Sequence, residues 1–163
     1  TVEFLIPPTR PDQRGGTLQN LEKDFAAVVA PGVDLAFRDR RVVTLSGTTL
    51  MGETASQDVC VCGPGAYVIL KALAFDGRGA NKDAYDLFYV LQHYGGGLAE
   101  IAQSIRPLAG ELSAQQALRV LSREFRRIDA TGPMRTAAFL GLTTDEFRAQ
   151  VVGLVDALLR MIE

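Results

Sequence analysis

PGAYVILKALAFDGRGANKDAYDLFYVLQHY, which spans residues 64–94, carries the clearest structural signal in the chain. Its apolar residues recur at the spacing that places side chains on one face of an α-helix. Pro64 suits a first helical turn, and a helix predicted over residues 66–75 ends at the turn Asp76-Gly77-Arg78-Gly79. Asn81 is the predicted N-cap of a second helix that runs to Tyr94. The stretch therefore predicts two helices joined by a short turn.

Helical periodicity continues from residue 98 to the end of the chain. Further helices are predicted over residues 98–105 and 133–140. Ser113 with Gln116, and Thr143 with Glu146, have the spacing of capping boxes that open two more helices. The last helix has an apolar stripe that we expect to face a core, formed by Phe147, Val151, Leu154, Val155, Leu158 and Ile162.

Residues 1–63 have the short apolar runs and turn residues typical of β-structure. Strands are predicted over residues 2–6, 33–37, 42–46 and 58–62, and these could pair as antiparallel hairpins. Leu18, Leu21 and Phe25 recur at helical spacing and predict a helical turn. The predicted fold class is α+β, with a small antiparallel β region over residues 1–63 followed by a helical region over residues 64–163.

The composition is that of a globular protein with a sizeable core. Of the 163 residues, 47% are apolar and 22% are charged, which excludes collagen-like, intrinsically disordered and disulfide-scaffold proteins. The formal net charge of -2 supplies no overall positive field for a nucleic acid. Two local arginine groups could still meet an RNA backbone, namely Arg38, Arg40 and Arg41, and Arg123, Arg126 and Arg127.

Cys60 and Cys62 are the only cysteines in the sequence. Two residues apart on a strand, they would point to one face, where a mutual disulfide is strained. No second cysteine or histidine pair completes a zinc site, so we predict two buried strand thiols. We assign no function to His93, the single histidine. The absence of a long apolar segment and of a signal peptide predicts a cytoplasmic protein with no membrane partner.

A group of charged residues lies within the two clearest helices. Lys71 interrupts an otherwise apolar helix, where its ammonium group must reach solvent or enter a polar cleft. Asp83 and Asp86 are three positions apart and share a face of the next helix, with Lys82 beside them. The short turn would bring these charges near each other. The residues also allow an exposed lysine and an acidic first turn that complements the helix dipole.

Residues 71–91, KALAFDGRGANKDAYDLFYVL, resemble a known family signature. The run is similar to the Lys-then-Lys-Asp-x-Tyr-Asp motif of AbiEii/AbiGii-type nucleotidyltransferase-like proteins, some of which are toxins of toxin-antitoxin or phage-abortive systems. Upstream, Val2-Glu3-Phe4-Leu5-Ile6-Pro7-Pro8 resembles the family's strand that carries a third carboxylate. The resemblance covers about residues 1–95. It implies a partial nucleotidyltransferase fold, in which residues 1–63 are the β-rich remainder of the core.

The resemblance also implies roles for individual residues. Lys71, Asp83 and Asp86 would be catalytic, with Lys71 contacting the phosphates of a nucleoside triphosphate (NTP) and the two aspartates holding Lys71 or the acceptor. Arg78 and Lys82 would bind substrate. In such enzymes a Gly-Ser turn holds the triphosphate, and a D-x-D pair with a third acid binds two magnesium ions.

Glu3 would be that third, metal-binding acid. The Gly-Ser turn and the D-x-D pair do not occur in this sequence, and the strand-like run at its start has no preceding turn. We therefore expect the C-terminal portion of a longer nucleotidyltransferase, one that uses Mg²⁺ and NTP when intact. This chain alone is expected to hold neither tightly and to be inactive.

Two classes of function remain open at this point. The first is nucleotide transfer to an acceptor, which would be an RNA such as tRNA or a protein, with a cognate antitoxin as a further partner. The second is a non-catalytic binding module, either an antitoxin or a degenerate nucleotidyltransferase relative that binds a partner protein.

Overall fold

A computed structural model describes residues 2–10 and 12–163 and confirms the predicted α+β class. Its five strands are β1 (Leu5–Ile6), β2 (Leu18–Glu22), β3 (Phe25–Val29), β4 (Arg40–Thr48) and β5 (Thr54–Cys62). Its helices are α1 (Leu35–Arg38), α2 (Pro64–Arg78), α3 (Asn81–His93), α4 (Gly97–Ile105), α5 (Leu112–Glu124), α6 (Thr131–Leu140) and α7 (Asp145–Ile162). A short 3₁₀ turn, Arg106–Leu108, follows α4.

The first sheet has the strand order β1-β3-β2. β2 and β3 form an antiparallel hairpin, whereas the two-residue β1 runs parallel to β3. The helical turn predicted from Leu18, Leu21 and Phe25 is wrong, because those residues lie in the two hairpin strands. Lys23 and Asp24 form the turn between the strands, so the apolar spacing across them only imitates that of a helix.

The second sheet is the hairpin of β4 and β5, whose strands have nine residues each. Its register runs from Arg40 opposite Cys62 to Thr48 opposite Thr54, which confirms the strands predicted over residues 42–46 and 58–62 and lengthens both. Every residue of both strands is exposed. The hairpin therefore extends from the body of the molecule with both faces in solvent.

Residues 33–37 do not form the predicted strand. Gly32 adopts a positive φ of 79°, and the chain then closes one helical turn, α1, through successive backbone hydrogen bonds. Leu35 and Val33 are buried, so the apolar character of the segment reflects contact with the core and not strand pairing. The turn directs the following residue, Asp39, toward the start of α2.

Helices α2 to α7 enclose the apolar core. α2 is central to it, since it packs against α3, α4 and α5. The predicted stripe of α7 is confirmed, with Val151, Val155 and Leu158 buried and Phe147, Leu154 and Ile162 packed around them. No helix among residues 2–10 and 12–163 combines the length and the apolar character needed to cross a membrane.

The helix starts differ by one or two residues from those predicted. Asn81 is the first residue of α3 and not its N-cap, and its side-chain oxygen accepts a hydrogen bond from Arg135. Ser113 lies inside α5, which begins at Leu112. Thr144, next to the predicted Thr143, is the N-cap of α7, and its hydroxyl accepts from the Phe147 amide.

The start of α2 is capped by a residue that is distant in sequence. Gly63, at the N-cap position, has no side chain, and the Asp39 carboxylate accepts a hydrogen bond from the Ala66 amide at 2.8 Å instead. A side chain at position 63 would collide with that carboxylate. Asp39 thus supplies one of the acceptors that the first turn of a helix requires.

We expect Asp39→Ala to lower the free energy of unfolding by about 1 kcal/mol, the usual cost of losing a helix cap. Asp34→Ala is the matched control, because Asp34 is exposed and its side chain caps no helix. Urea denaturation of both variants measures the difference. Equal stability of the two variants would contradict the capping role.

Candidate functional site

Lys71 lies on the side of α2 that faces α3. Its ammonium Nζ is 2.6 Å from Asp86 Oδ2 and 3.4 Å from Asp83 Oδ1. Only 22% of the Lys71 side chain is exposed. The alternative of a lysine directed into solvent is therefore wrong, and the predicted convergence of Lys71 with the two aspartates is confirmed.

Asp83 is the centre of this group of charges. Its side chain is fully buried, at 0% exposure, and it accepts two hydrogen bonds from Arg78. The distances are 2.6 Å from Arg78 Nε to Oδ2 and 2.8 Å from Arg78 Nη2 to Oδ1. Arg78 is the last residue of α2, so this fork closes the turn between α2 and α3.

Asp86 joins a second cation to the same group. Besides Lys71, it accepts from Lys82 Nζ, at 2.7 Å to Oδ2 and 3.0 Å to Oδ1. Lys82 and Asp86 are four residues apart on α3. Together Lys71, Arg78, Lys82, Asp83 and Asp86 form the charge cluster, whose three cations exceed its two carboxylates by one positive charge.

The two aspartates of the charge cluster are held ionised. Burial opposes the charged form of Asp83, but the hydrogen bonds and charges of Arg78 and Lys71 outweigh it and lower the pKa of this carboxyl. Burial also opposes ionisation of Asp86, and hydrogen bonds from Lys71 and Lys82 lower its pKa in turn. Neither residue is therefore protonated near neutral pH, and neither fits the role of a general acid.

Two cations of the charge cluster remain accessible. The side chains of Arg78 and Lys82 are 64% and 67% exposed. Arg78 uses Nε and one hydrogen of Nη2 on Asp83, which leaves its other guanidinium hydrogens free to donate to a ligand. The charge cluster therefore presents positive charge to solvent, and the buried carboxylate of Asp83 anchors it.

Glu3 lies near this cluster although it is distant in sequence. The hydrogen bond to Asp83 raises the pKa of Arg78, and the charge of Glu3 adds to that effect. Glu3 is exposed and forms no ion pair among the described residues. The structure therefore brings all six residues named from the sequence into one region, while the role of each stays a prediction.

The described residues do not form a magnesium site. No group of three or more histidine, cysteine, aspartate or glutamate side chains in residues 2–10 and 12–163 is placed to hold a metal ion. The oxygens of Asp83 and Asp86 instead face lysine and arginine nitrogens. This donor set suits an anion that approaches the exposed cations, and it does not suit Mg²⁺.

Tyr67 lies in the same region, although the sequence pattern alone did not identify it as a site residue. Its ring centroid lies 5.7 Å from Lys71 Nζ, and burial followed by the charge of Asp86 raises the pKa of its hydroxyl. The signal was its position four residues before Lys71, which places both on one face of α2. Tyr67 forms an aromatic wall beside the ammonium group.

The arginines considered for RNA contact are mostly paired with acids. Arg38 pairs with Glu111, Arg41 with Glu100, Arg123 with Asp76 and Glu124, Arg126 with Asp156, and Arg127 with Asp129. Such pairs cancel much of the local positive potential. The exposed cations of the charge cluster are therefore the better candidates for contact with an anionic ligand.

The prediction of two buried strand thiols is wrong. Cys60 and Cys62 are both exposed residues of the β4–β5 hairpin. Although Cys62 is exposed as a residue, partial burial of its sulfur raises its pKa to about 11, so this thiol is a poor nucleophile at neutral pH. Among residues 2–10 and 12–163 this sheet has two strands, and every residue of both is exposed.

Comparisons with protein-family models, with curated proteins and with solved structures gave no match for this chain. The resemblance to nucleotidyltransferase-like proteins thus rests on the residues of the chain alone.

Proposed function

We propose that this chain is the C-terminal portion of a cytoplasmic nucleotidyltransferase, and that its charge cluster binds the phosphates of an NTP. A hydroxyl group of an RNA such as tRNA, or of a protein, would attack the α-phosphate and take up the nucleotidyl group, and pyrophosphate would leave. The observation that carries the proposal is the convergence of Lys71, Arg78 and Lys82 on the two carboxylates of Asp83 and Asp86. A cognate antitoxin would be a further partner if the protein is a toxin.

A triphosphate is the ligand that matches the charge and the donors of the cluster. Asp83 and Asp86 fix the positions of the cations before any ligand arrives, which lowers the entropy cost of binding. The exposed guanidinium of Arg78 and the ammonium of Lys82 then meet phosphate oxygens with charge-assisted hydrogen bonds. Lys71, held between the aspartates and mostly buried, contributes its positive charge without direct contact.

Catalysis needs groups that the described residues do not provide. In-line nucleotide transfer requires metal ions near the α-phosphate, and the carboxylates of the cluster are occupied by cations. We propose that the metal-binding acids come from a further segment, to which Glu3 adds the third carboxylate. On this proposal the chain alone binds NTP weakly and transfers nothing.

A nucleotide titration tests the proposal directly. We expect millimolar ATP to shift the backbone amide NMR signals of the α2–α3 turn and of the first turn of α3. Lys82→Gln should weaken this binding about fivefold, because it removes one charge-assisted contact worth about 1 kcal/mol at an exposed site. Asp86 keeps its contact with Lys71, so the variant leaves the fold intact.

Arg127→Gln is the matched control for the titration. Arg127 is 77% exposed and pairs with Asp129 outside the cluster, so its replacement removes the same charge at a distance. The control should bind ATP as the wild type does. Absence of shifts in the wild-type turn, or equal weakening in both variants, would refute the phosphate site.

A second candidate function is a non-catalytic binding module. The fully exposed β4–β5 hairpin favours it, since apolar side chains without cover are typical of a surface that meets another protein. In that case ATP produces no shifts in the α2–α3 turn, and the charge cluster only joins the two helices.

A further inference from the structure

The free edges of the β4–β5 hairpin can be identified from its hydrogen bonds. At one end the Gly63 amide donates to the Asp39 carbonyl, and at the other the Thr49 amide donates to the Glu53 carbonyl. Bonded and non-bonded pairs alternate in an antiparallel ladder. Odd-numbered residues of β4 therefore bond to β5, and its even-numbered residues point their backbone groups outward.

These outward groups have no partner within the described part of the chain. The sheet holds only β4 and β5, so the even-numbered residues from Arg40 to Thr48 present free amides and carbonyls in a row. An isolated two-stranded hairpin is marginal in water, and sheets gain stability from three or more strands with a shared apolar face. The edge is thus suited to pair with a further strand.

One face of the hairpin carries an apolar patch as well, with Arg41 and Gln57 beside it. Val43 and Leu45 on β4 lie on the same face as Val59 and Val61 on β5. These four side chains are between 36% and 57% exposed. The opposite face is mixed: Val42, Cys60 and Cys62 lie on it beside the hydrogen-bonded pairs Thr44–Asp58 and Ser46–Ser56.

The residue pattern of β4 matches a second copy of itself. Its midpoint is Thr44, an outward-facing residue, so an antiparallel pair about a two-fold axis there places Thr44 opposite Thr44 of the second copy. Val43 then lies opposite Leu45, and Val42 opposite Ser46. The two Thr44 residues form a favourable polar pair, and the Val43–Leu45 pairs join the apolar patches of the two hairpins across four strands.

The charged residues distinguish the β4 edge of the hairpin from the β5 edge. In the same centred register Arg40 lies opposite Thr48 and Arg41 opposite Gly47, so the arginines of the two copies stay at opposite ends. The midpoint of β5 is Asp58, and the equivalent pairing there would place two carboxylates together. Like charges directly opposite each other destabilise a sheet.

We propose that two copies of this chain associate through β4, edge to edge and antiparallel about Thr44, to form a four-stranded sheet. The association does not rest on nucleotide binding. The strand that pairs with the β4 edge comes from a second copy of the chain. In the centred register the outward backbone groups form hydrogen bonds, the apolar side chains lie opposite each other, and the arginines stay apart.

Sedimentation of the full chain across a concentration series tests the association. We expect the wild type to change from monomer to dimer as its concentration rises. Thr44→Pro should weaken the dimer about tenfold or more, because proline removes an outward amide without removing a bond of the hairpin. Ser56→Pro is the matched control, since it changes an outward amide on the β5 edge, and it should dimerise as the wild type does.

A second variant separates edge pairing from loss of the hairpin. Thr44→Lys places an ammonium group opposite Asp58 within the hairpin, which stabilises the fold. At the two-fold axis the same ammonium group lies opposite that of the second copy, and this repulsion opposes the dimer. The variant should be monomeric with an unchanged far-ultraviolet circular dichroism spectrum. A wild type that stays monomeric throughout, or a dimer unaffected by both Thr44 variants, would overturn the proposal.

Discussion

Replacing Asp83 with alanine is expected to lower the free energy of unfolding by about 3 kcal/mol, the lower end of the cost of breaking a buried ion pair. Asp83 is fully buried and accepts hydrogen bonds from both Arg78 and Lys71. Its loss leaves Arg78 without a carboxylate partner, whereas Lys71 keeps its ion pair with Asp86. The cost stays at the lower end because the Arg78 side chain can turn to water. Urea denaturation at pH 7 measures the change.

Asp76→Ala is the control for this result. Asp76 also pairs with an arginine, Arg123, but on the surface of the molecule. Exposed pairs contribute at most about 1 kcal/mol. A loss for Asp83→Ala no larger than that of the control would show that Asp83 does not anchor the cluster.

The Asp83 contribution should depend on pH in a defined direction. Burial works against the ionised carboxyl, but Arg78 and Lys71 lower its folded-state pKa below that of the unfolded chain, which is about 3.9. The folded state therefore binds fewer protons than the unfolded state as the pH falls below about 5. Stability that is fully present at neutral pH is lost as the pH falls through the folded-state pKa.

The charge-neutral variant Asp83→Asn isolates this pH dependence. Its free energy of unfolding should lie furthest below that of the wild type at pH 7, and the gap should narrow as the pH is lowered toward about 3. Denaturation curves at a series of pH values give the gap directly. A gap of constant size from neutral to acid pH would contradict an ionised Asp83 in the folded protein.

Gly65→Ala is expected to cost about 3 kcal/mol, at the upper end of the usual range for overpacking. A methyl group there would lie 2.7 Å from the backbone carbon of Ser104 and 2.8 Å from the amide nitrogen of Ile105. These are backbone atoms of α4 and cannot rotate away. The two helices must separate, which disturbs the core around Ile105 and Ile69. Thermal or urea unfolding records the loss.

Gly77→Ala is the matched control on the same helix. Gly77 is exposed, and a methyl group there meets no atom within 4 Å. Alanine has the higher helix propensity, so this variant should gain up to about 1 kcal/mol. If both substitutions destabilised the protein equally, the close approach of α2 and α4 would not be the cause of the loss at position 65.

The helical half could be predicted because its signals are local. The apolar periodicity of residues 64–94, with Pro64 before it and glycines at its turns, identifies α2 and α3 within three residues at each end. The same holds for the buried face of α7. The β half was less predictable, because strand formation depends on partners that local spacing does not specify. Leu18, Leu21 and Phe25 have helical spacing but lie in the two strands of a hairpin instead.

Local composition and periodicity were thus sufficient to predict the fold class, the two helices around Lys71, and the approach of Lys71 to Asp83 and Asp86. The partners themselves came from the packing of α2 against α3. That packing buried Asp83 under Arg78, and the placement of the N-terminal segment brought the charge of Glu3 toward the same cluster. Helix propensity acts over a few neighbouring residues, whereas ion pairs and caps join side chains wherever rigid elements meet. Positions far apart in the chain, such as Asp39 and Ala66, therefore become partners only once the elements have packed.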